Sequence, residues 1–175
     1  MYTYFRNWRK DGTWSSIHDR LRKWTRIEAD RQPSPSEAIV DSQSVKTAAG
    51  VSEQVGFDSA KVIKGRKRFL SVDTLGLVLR VFVTAASVPE RQGGKRVLKR
   101  VKRMDKAVSR LTTIWVDGGF EGAPFLNWVM DVCRWTRAGR TPSQTNQGVR
   151  AAQKAVGRRT HLWLADGLSP ISQGL

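Results

Sequence analysis

The chain has 175 residues, enough for one domain with a hydrophobic core. Its 31 Lys and Arg residues against 15 Asp and Glu residues give a formal net charge of +16, so we expect a polyanionic partner, nucleic acid first. No apolar run approaches the roughly 20 residues of a membrane span, and no signal sequence follows Met1. An anionic membrane surface and a ribosomal or histone-like packing role are therefore the weaker alternatives. The single cysteine, Cys133, cannot form an internal disulfide, and we expect it in the core of a cytoplasmic protein. With nucleic acid as the partner, the protein is expected to be nucleoid-associated.

The N-terminal part predicts a basic amphipathic helix. Asp11 and Gly12 mark a turn, and Thr13 is the expected N-cap. Apolar residues then recur at helical spacing and basic residues occupy the other faces, which predicts a basic exterior; the apolar positions are Trp14, Ile17, Leu21 and Trp24. Residues 32–36 contain two prolines and predict a linker.

Strands dominate the next part of the chain. Residues 38–45 predict a strand that is apolar at its start and polar at its end. Residues 46–67 are rich in Gly, Lys and Ser and are predicted to form a loop. Residues 68–73 and 77–84 are β-prone runs around a turn, which predicts an antiparallel hairpin.

Helices and strands then alternate. A helix is expected after Pro89, with an apolar face formed by Val97, Leu98, Val101, Met104 and Val108. A strand over 112–117 and a helix over 123–135 follow. The order predicts an α/β fold, a mixed sheet with flanking helices.

The expected organisation has three parts. They are a basic N-terminal helical segment (1–32), a core that contains the predicted strands and helices of the sheet (33–135), and an atypical Arg-rich tail (136–175) that has no sustained apolar period.

Two aspartates carry the candidate chemistry. Asp41 and Asp117 each lie at the polar end of an apolar β-run. A carboxylate there is more often a cap or turn residue. If the two strands are neighbours, however, both carboxylates point to one site, and Mg²⁺ is held by one or two carboxylates together with substrate phosphate oxygens.

Several blocks of the sequence together resemble a known family. They are residues 41–47 (DSQSVKT), 64–68 (KGRKR), 72–77 (VDTLGL), 85–88 (AASV) and 117–120 (DGGF). In this order they resemble DDE transposases of bacterial insertion sequences, of the insertion-sequence-five type within the insertion-sequence-four superfamily. Residues 4–9 (YFRNWR) and 11–14 (DGTW) resemble the segment that precedes the catalytic domain in that family.

The resemblance implies an RNase H-like fold, dependence on Mg²⁺ or Mn²⁺, and cleavage and strand transfer at transposon ends. It makes Asp41 the first catalytic and metal-binding aspartate and Asp117 the second. Double-stranded DNA, at the transposon ends and the target, is the implied partner, and the active form is expected to be a homo-oligomer.

The family's third acidic residue, a downstream glutamate, has no counterpart here. No Glu follows Glu121, and residues 155–164 match the expected block without it, so the RNase H-like core is expected to be incomplete at the C-terminus. A reading-frame shift between about Trp135 and Gly148 explains both this loss and the Arg-rich tail. Asp166 is a weak substitute, since an Asp beside a Gly is usually a turn residue. The chain's own activity stays open, and the alternative is a noncatalytic DNA-binding fragment that competes with or assists an intact transposase.

Basic residues around the first aspartate predict DNA contacts. We expect a phosphate-contacting loop beside the active site, although such runs are also commonly just solvated; its residues are Lys61, Lys64, Arg66, Lys67 and Arg68, and Lys46 is a further expected DNA contact. Relatives carry a further N-terminal DNA-binding region, so sequence-specific recognition is expected from the product of a partner reading frame.

Overall fold

A six-stranded mixed sheet forms the centre of the protein, and the computed structural model describes residues 2–47, 54–120, 122–135 and 137–140, the last by backbone alone. The strands are β1 (Glu37–Lys46), β2 (Gly56–Asp58), β3 (Ile63–Asp73), β4 (Val78–Ala85), β5 (Thr113–Val116) and β6 (Arg137–Arg140). The helices are α1 (Tyr2–Lys10), α2 (Thr13–Glu28), α3 (Glu90–Lys102) and α4 (Ala123–Cys133).

β1 is the central strand. It pairs antiparallel with β3, from Ala38 opposite Asp73 to Lys46 opposite Gly65. On its other edge it runs parallel to β5, and β5 runs parallel to β6. β4 and β2 pair with β3, so the main strand order is β4–β3–β1–β5–β6. The parallel neighbours β1 and β5 need a crossover connection. The last part of the chain that connects them, between β4 and β5, contains α3.

The main core lies between the sheet and helices α3 and α4. Phe69 of β3, Phe120 and Phe125 are almost completely buried and pack as neighbouring rings. α3 approaches them closely because it carries Gly93 and Gly94 at the contact. Successive side chains of a strand point to opposite faces of the sheet, and a smaller cluster lies on the face away from the main core. Its buried residues are Ile39, Leu70 and Val72.

Most predicted elements are confirmed. The structure contains the strand around Asp41, the hairpin, the helix after Pro89, the strand before Asp117, and the helix after it. Cys133 is buried in the core as expected. The predicted loop over 46–67 is wrong in part, because β2 and the start of β3 lie within it. Within the described residues, no helix has the length and apolar character of a bilayer span.

The predicted orientation of α2 is wrong. Its arginines Arg22 and Arg26 are buried, whereas Leu21, Trp24 and Ile27 are each more than half exposed. The physical reason is electrostatic: Arg26 donates a 2.5 Å hydrogen bond to the fully buried carboxylate of Asp73, at the turn of the β3–β4 hairpin. Periodicity identifies two faces of a helix but does not say which face the sheet covers.

A second ion pair also joins α2 to the hairpin, since Arg80 of β4 donates two hydrogen bonds, of 2.8 and 2.7 Å, to Asp19. The cap of α2 differs by one residue from the prediction. Gly12, with a positive φ of 81°, takes the N-cap position, and Thr13 begins the helix.

Replacement of Gly93 by alanine tests the close approach of α3. A Cβ at this position would overlap the Phe69 ring. We expect Gly93→Ala to lower the free energy of unfolding by about 2 kcal/mol, although alanine favours helices, because overpacking outweighs propensity. Urea denaturation measures the change. The matched control is Gln92→Ala on the exposed side of the same turn, and equal stabilities of the two variants would contradict the packing.

Candidate active site

Asp41 and Asp117 lie side by side at the centre of the sheet. Val40 of β1 pairs with Val116 of β5 in parallel register, so the two aspartates follow at the next position of adjacent strands. β1 continues beyond Asp41 to Lys46, whereas β5 ends at Val116. Asp41 is half-buried within a strand, and Asp117 is exposed at the start of a short 3₁₀ turn over Gly118–Phe120.

The two carboxylates interact electrostatically. Burial, more than any other cause, raises the pKa of Asp41, and the negative charge of Asp117 raises it further, to about 6. The Ser42 backbone N–H, 2.6 Å from Oδ1, and the charge of Lys61 act in the opposite direction. A carboxylate raised this far by burial and a like charge favours a cation or a proton beside it.

Backbone contacts fix the surroundings of both aspartates. Asp117 Oδ1 accepts a hydrogen bond from the Gly119 N–H at 3.1 Å. On the β1 side, the ammonium of Lys61 donates to the Ser42 carbonyl oxygen at 3.2 Å. The site therefore has a positive charge next to Asp41, from a lysine that belongs to the predicted phosphate-contacting loop.

Glu90, the first residue of α3, is a component that the sequence analysis missed. Its Oε1 accepts hydrogen bonds from the Ser42 hydroxyl at 3.3 Å and from the Lys67 ammonium at 3.1 Å. Glu90 also packs against Gly119: its Cγ lies 3.1 Å, and Asp117 Oδ1 lies 3.4 Å, from the place of a Cβ on that glycine. The available sequence signal was that Glu90 is the one acidic residue in an otherwise basic helix.

Lys67 connects Glu90 with a second carboxylate. Its buried ammonium lies 3.1 Å from Asp58 Oδ2 and 3.1 Å from Glu90 Oε1. The Ser44 hydroxyl also donates to Asp58, and this hydrogen bond, with Lys67, lowers the pKa of Asp58 to about 2. Asp58 is therefore ionised at neutral pH, and the network joins β1, β2, β3 and α3.

The predicted basic loop is only partly a basic surface. Lys46 and Lys64 are exposed and Arg66 is half-buried, but Lys67 and Arg68 are buried. The structure places these two residues inside the fold, where they bind other side chains and form no part of a basic surface. Lys67 neutralises the two carboxylates described above, and Arg68 donates to Gln43 Oε1 at 2.8 Å.

The donor set at Asp41 and Asp117 fits a hard divalent cation. Carboxylate oxygens are its preferred ligands, and a cation would offset the unfavourable burial and repulsion at Asp41. Across the described part of the chain, no group of three His, Cys, Asp or Glu side chains is arranged to hold a metal ion. Asp166 and residues 155–164, which bear on the third acidic position, lie outside the described residues.

Comparisons with known proteins support a family assignment. A family model described as a transposase DDE domain matches residues 32–167, a range that includes both aspartates and continues through most of the predicted tail. No curated protein matches the chain.

Among solved structures, the chain is similar to the piggyBac transposase in a cryo-EM synaptic complex with hairpin DNA, with a TM-score of 0.41 and 16% identity. The match covers 63% of this chain and 24% of that one, so the chain spans about a quarter of the matched structure's length.

The raised pKa of Asp41 predicts a specific pH dependence. Because the folded-state pKa is about 6 and the usual value is 3.8, protonated Asp41 stabilises the fold below about pH 4, and this contribution is lost as the pH rises through 6. Asp41→Asn should therefore be more stable than the wild type at pH 7.5 by about 1–2 kcal/mol, with the difference vanishing near pH 4.

Urea denaturation at the two pH values measures this difference. Asp131→Asn, at an exposed position of α4, is the control and should give the same small change at both. A pH-independent effect of Asp41→Asn would show that burial does not disfavour its charge.

Proposed function

Because the chain belongs to the transposase DDE domain family, we propose that it is the catalytic part of a transposase that cleaves and joins phosphodiesters at transposon ends. One observation carries the proposal. The two aspartates at the positions implied by the family resemblance follow paired residues of adjacent parallel strands and share one electrostatic environment. This arrangement is needed for two carboxylates to act on one ion or one phosphate.

The finer fold assignment is an RNase H-like sheet. Three antiparallel strands, β4, β3 and β1, are followed by two parallel strands, β5 and β6, and this order supports the assignment. The insertion-sequence-five type is proposed on the sequence blocks alone. The reading-frame shift after about Trp135 is likewise a proposal, and the nucleotide sequence of that region tests it directly.

Asp41 and Asp117 are the residues that would hold Mg²⁺ or Mn²⁺. When bound, such an ion polarises phosphate oxygens and stabilises the charge that develops during phosphodiester displacement. Asp41 presents a carboxylate from the rigid central strand, and Asp117 presents one from the start of a turn. The nearby Lys61 ammonium, anchored on the Ser42 carbonyl, adds a positive charge where the DNA phosphate would approach.

Double-stranded DNA is the proposed partner, at transposon ends and at the target. Lys46 and Lys64 remain candidates for phosphate contacts because both are exposed. Further exposed cations follow the outer side of α3, namely Arg96, Lys99, Lys102 and Arg103. A homo-oligomeric active form and a partner-frame product that supplies sequence recognition complete the proposal.

A noncatalytic DNA-binding fragment is the second candidate function. The observation that favours it is the missing third carboxylate, since no Glu follows Glu121 in the sequence. Such a product would bind the same DNA as an intact transposase and compete with it or assist it.

Metal-dependent cleavage discriminates between the two functions. A duplex carrying the terminal repeats of the element is incubated with Mg²⁺ or Mn²⁺ and either this chain or a version whose tail is translated in the alternative frame. Cleavage only by the reframed version supports a transposase inactivated by a frame shift. Cleavage by the chain itself means that another carboxylate completes the site, with Asp166 the first residue to replace. DNA binding without cleavage by either version favours the noncatalytic function.

The aspartates provide the sharpest test of the site. In whichever version cleaves, Asp41→Asn and Asp117→Asn should each reduce metal-dependent cleavage by at least about a thousandfold, because each removes an anionic metal ligand while preserving shape. DNA affinity, measured by fluorescence anisotropy, should stay within about threefold, since neither residue supplies a cation. Full cleavage by either variant contradicts the assignment.

Exposed lysines inside and outside the proposed contact set should differ in DNA binding. Lys64→Ala should weaken binding to all duplexes alike and reduce the slope of log K against log salt by about one, as expected for one lost phosphate contact. The control is Lys10→Ala, an exposed lysine of α1 outside the proposed contact set. An unchanged salt slope for Lys64→Ala would remove this residue from the interface.

A further inference from the structure

We propose that Glu90 is a positioning residue that fixes the spacing between Asp41 and Asp117. The proposal rests on the metal site proposed above and assigns a role to a residue outside the aspartate pair. It requires that Glu90 contact the surroundings of both aspartates, that it be held rigidly itself, and that the spacing depend on something besides strand pairing.

Glu90 contacts the neighbour of each aspartate. On the β1 side, its Oε1 accepts the hydrogen bond from the hydroxyl of Ser42, the residue after Asp41. On the β5 side, its Cγ and Cδ lie 3.1 and 3.6 Å from the Cβ position of Gly119, two residues after Asp117. A single side chain of α3 thus contacts a residue that follows each aspartate.

Lys67 holds Glu90 in place. The Lys67 side chain is 3% exposed, and its ammonium lies equally close to Glu90 and Asp58, so its charge is neutralised by partners on two different elements. A buried ammonium without such partners is strongly disfavoured, which restricts Glu90 to conformations in which it stays paired. α3 is also fixed by the packing of its first turns, because Gly93 contacts Phe69.

Strand pairing alone leaves Asp117 incompletely constrained. The β1–β5 ladder ends at Val40 and Val116, one residue before the aspartates, and Asp117 continues into the 3₁₀ turn. Its carboxylate is oriented by the Gly119 N–H, and Gly119 is the residue on which Glu90 packs. A shift of this turn would move Asp117 while Asp41 stayed fixed in β1. Glu90 limits that shift.

A direct metal ligand and a purely structural residue are the other possible roles for Glu90. In the described residues its Oε1 is occupied by Ser42 and Lys67, and it forms no three-residue metal cluster with the aspartates, which favours positioning over ligation. The roles predict different results for the Glu90→Gln variant. Glutamine keeps the length of the side chain and the accepting oxygen, whereas alanine removes both.

Mn²⁺ binding to the full chain, followed by electron paramagnetic resonance of the free ion, separates these roles. Glu90→Ala should weaken Mn²⁺ binding by about tenfold, as expected for loss of an outer-shell partner, and Glu90→Gln by less than about threefold. Glu28→Ala, at an exposed glutamate at the end of α2, should bind as the wild type does. Circular dichroism and thermal melting of each variant confirm that the measurements are made on folded protein.

The outcomes are distinct. Wild-type affinity in folded Glu90→Ala overturns the positioning role and leaves the metal site intact. Equal losses in Glu90→Gln and Glu90→Ala also overturn it, because charge rather than shape would then matter. If Glu90→Ala does not fold, Ser42→Ala decides: it should weaken Mn²⁺ binding in the same direction, and wild-type affinity overturns the role. Failure of Asp41→Asn to abolish Mn²⁺ binding, or a wild type that binds none, overturns the metal site and the positioning role together.

Discussion

The parallel pairing of β1 with β5 is the constraint on which the site depends. It brings together residues 76 positions apart in the chain, since Val40 lies opposite Val116, and it places Asp41 and Asp117 at the next step. Because parallel neighbours cannot be joined by a tight turn, the intervening chain must return across the sheet, and it does so with α3. The same crossover that allows the pairing therefore places Glu90 beside Ser42 and Gly119, which follow the two aspartates.

The ionised carboxylate of Asp41 is unfavourable for the stability of the fold, although the proposed chemistry requires it. Burial of Asp41 in the central strand, and to a smaller extent the like charge of Asp117, disfavours the ionised carboxylate of Asp41 and raises its pKa. The surrounding network has the opposite character. Asp58 is paired with Lys67 and Ser44, and its pKa is lowered to about 2. Paired charges thus surround a carboxylate whose own charge is disfavoured. A perturbed carboxylate of this kind is more typical of a functional site than of an aspartate that only caps a turn.

The sequence predicted those elements whose burial follows from their own pattern. β1, β5 and α3 have apolar residues at the period of the element, and their buried sides agree with that pattern. The failures involve cations with distant partners. The local pattern assigned Lys67 to an exposed basic run, but its partners Asp58 and Glu90 are 9 and 23 residues away. Arg26 is buried against Asp73, which is 47 residues away. Local pattern cannot supply such pairs, because the decision between a buried and a solvated cation is made by tertiary contacts.

Cations that are paired within the fold also change what the net charge of +16 means. Lys67, Arg26 and Arg80 bind carboxylates within the fold, so their charge is largely neutralised before any partner approaches. Counterion release requires cations that reach phosphates, and only exposed residues such as Lys46 and Lys64 meet this condition. Composition indicates a polyanionic partner, but the strength of the attraction depends on where the excess charge lies. For the proposed DNA partner, the exposed cations of β1, β3 and α3, rather than the whole basic composition, would orient the duplex toward Asp41 and Asp117.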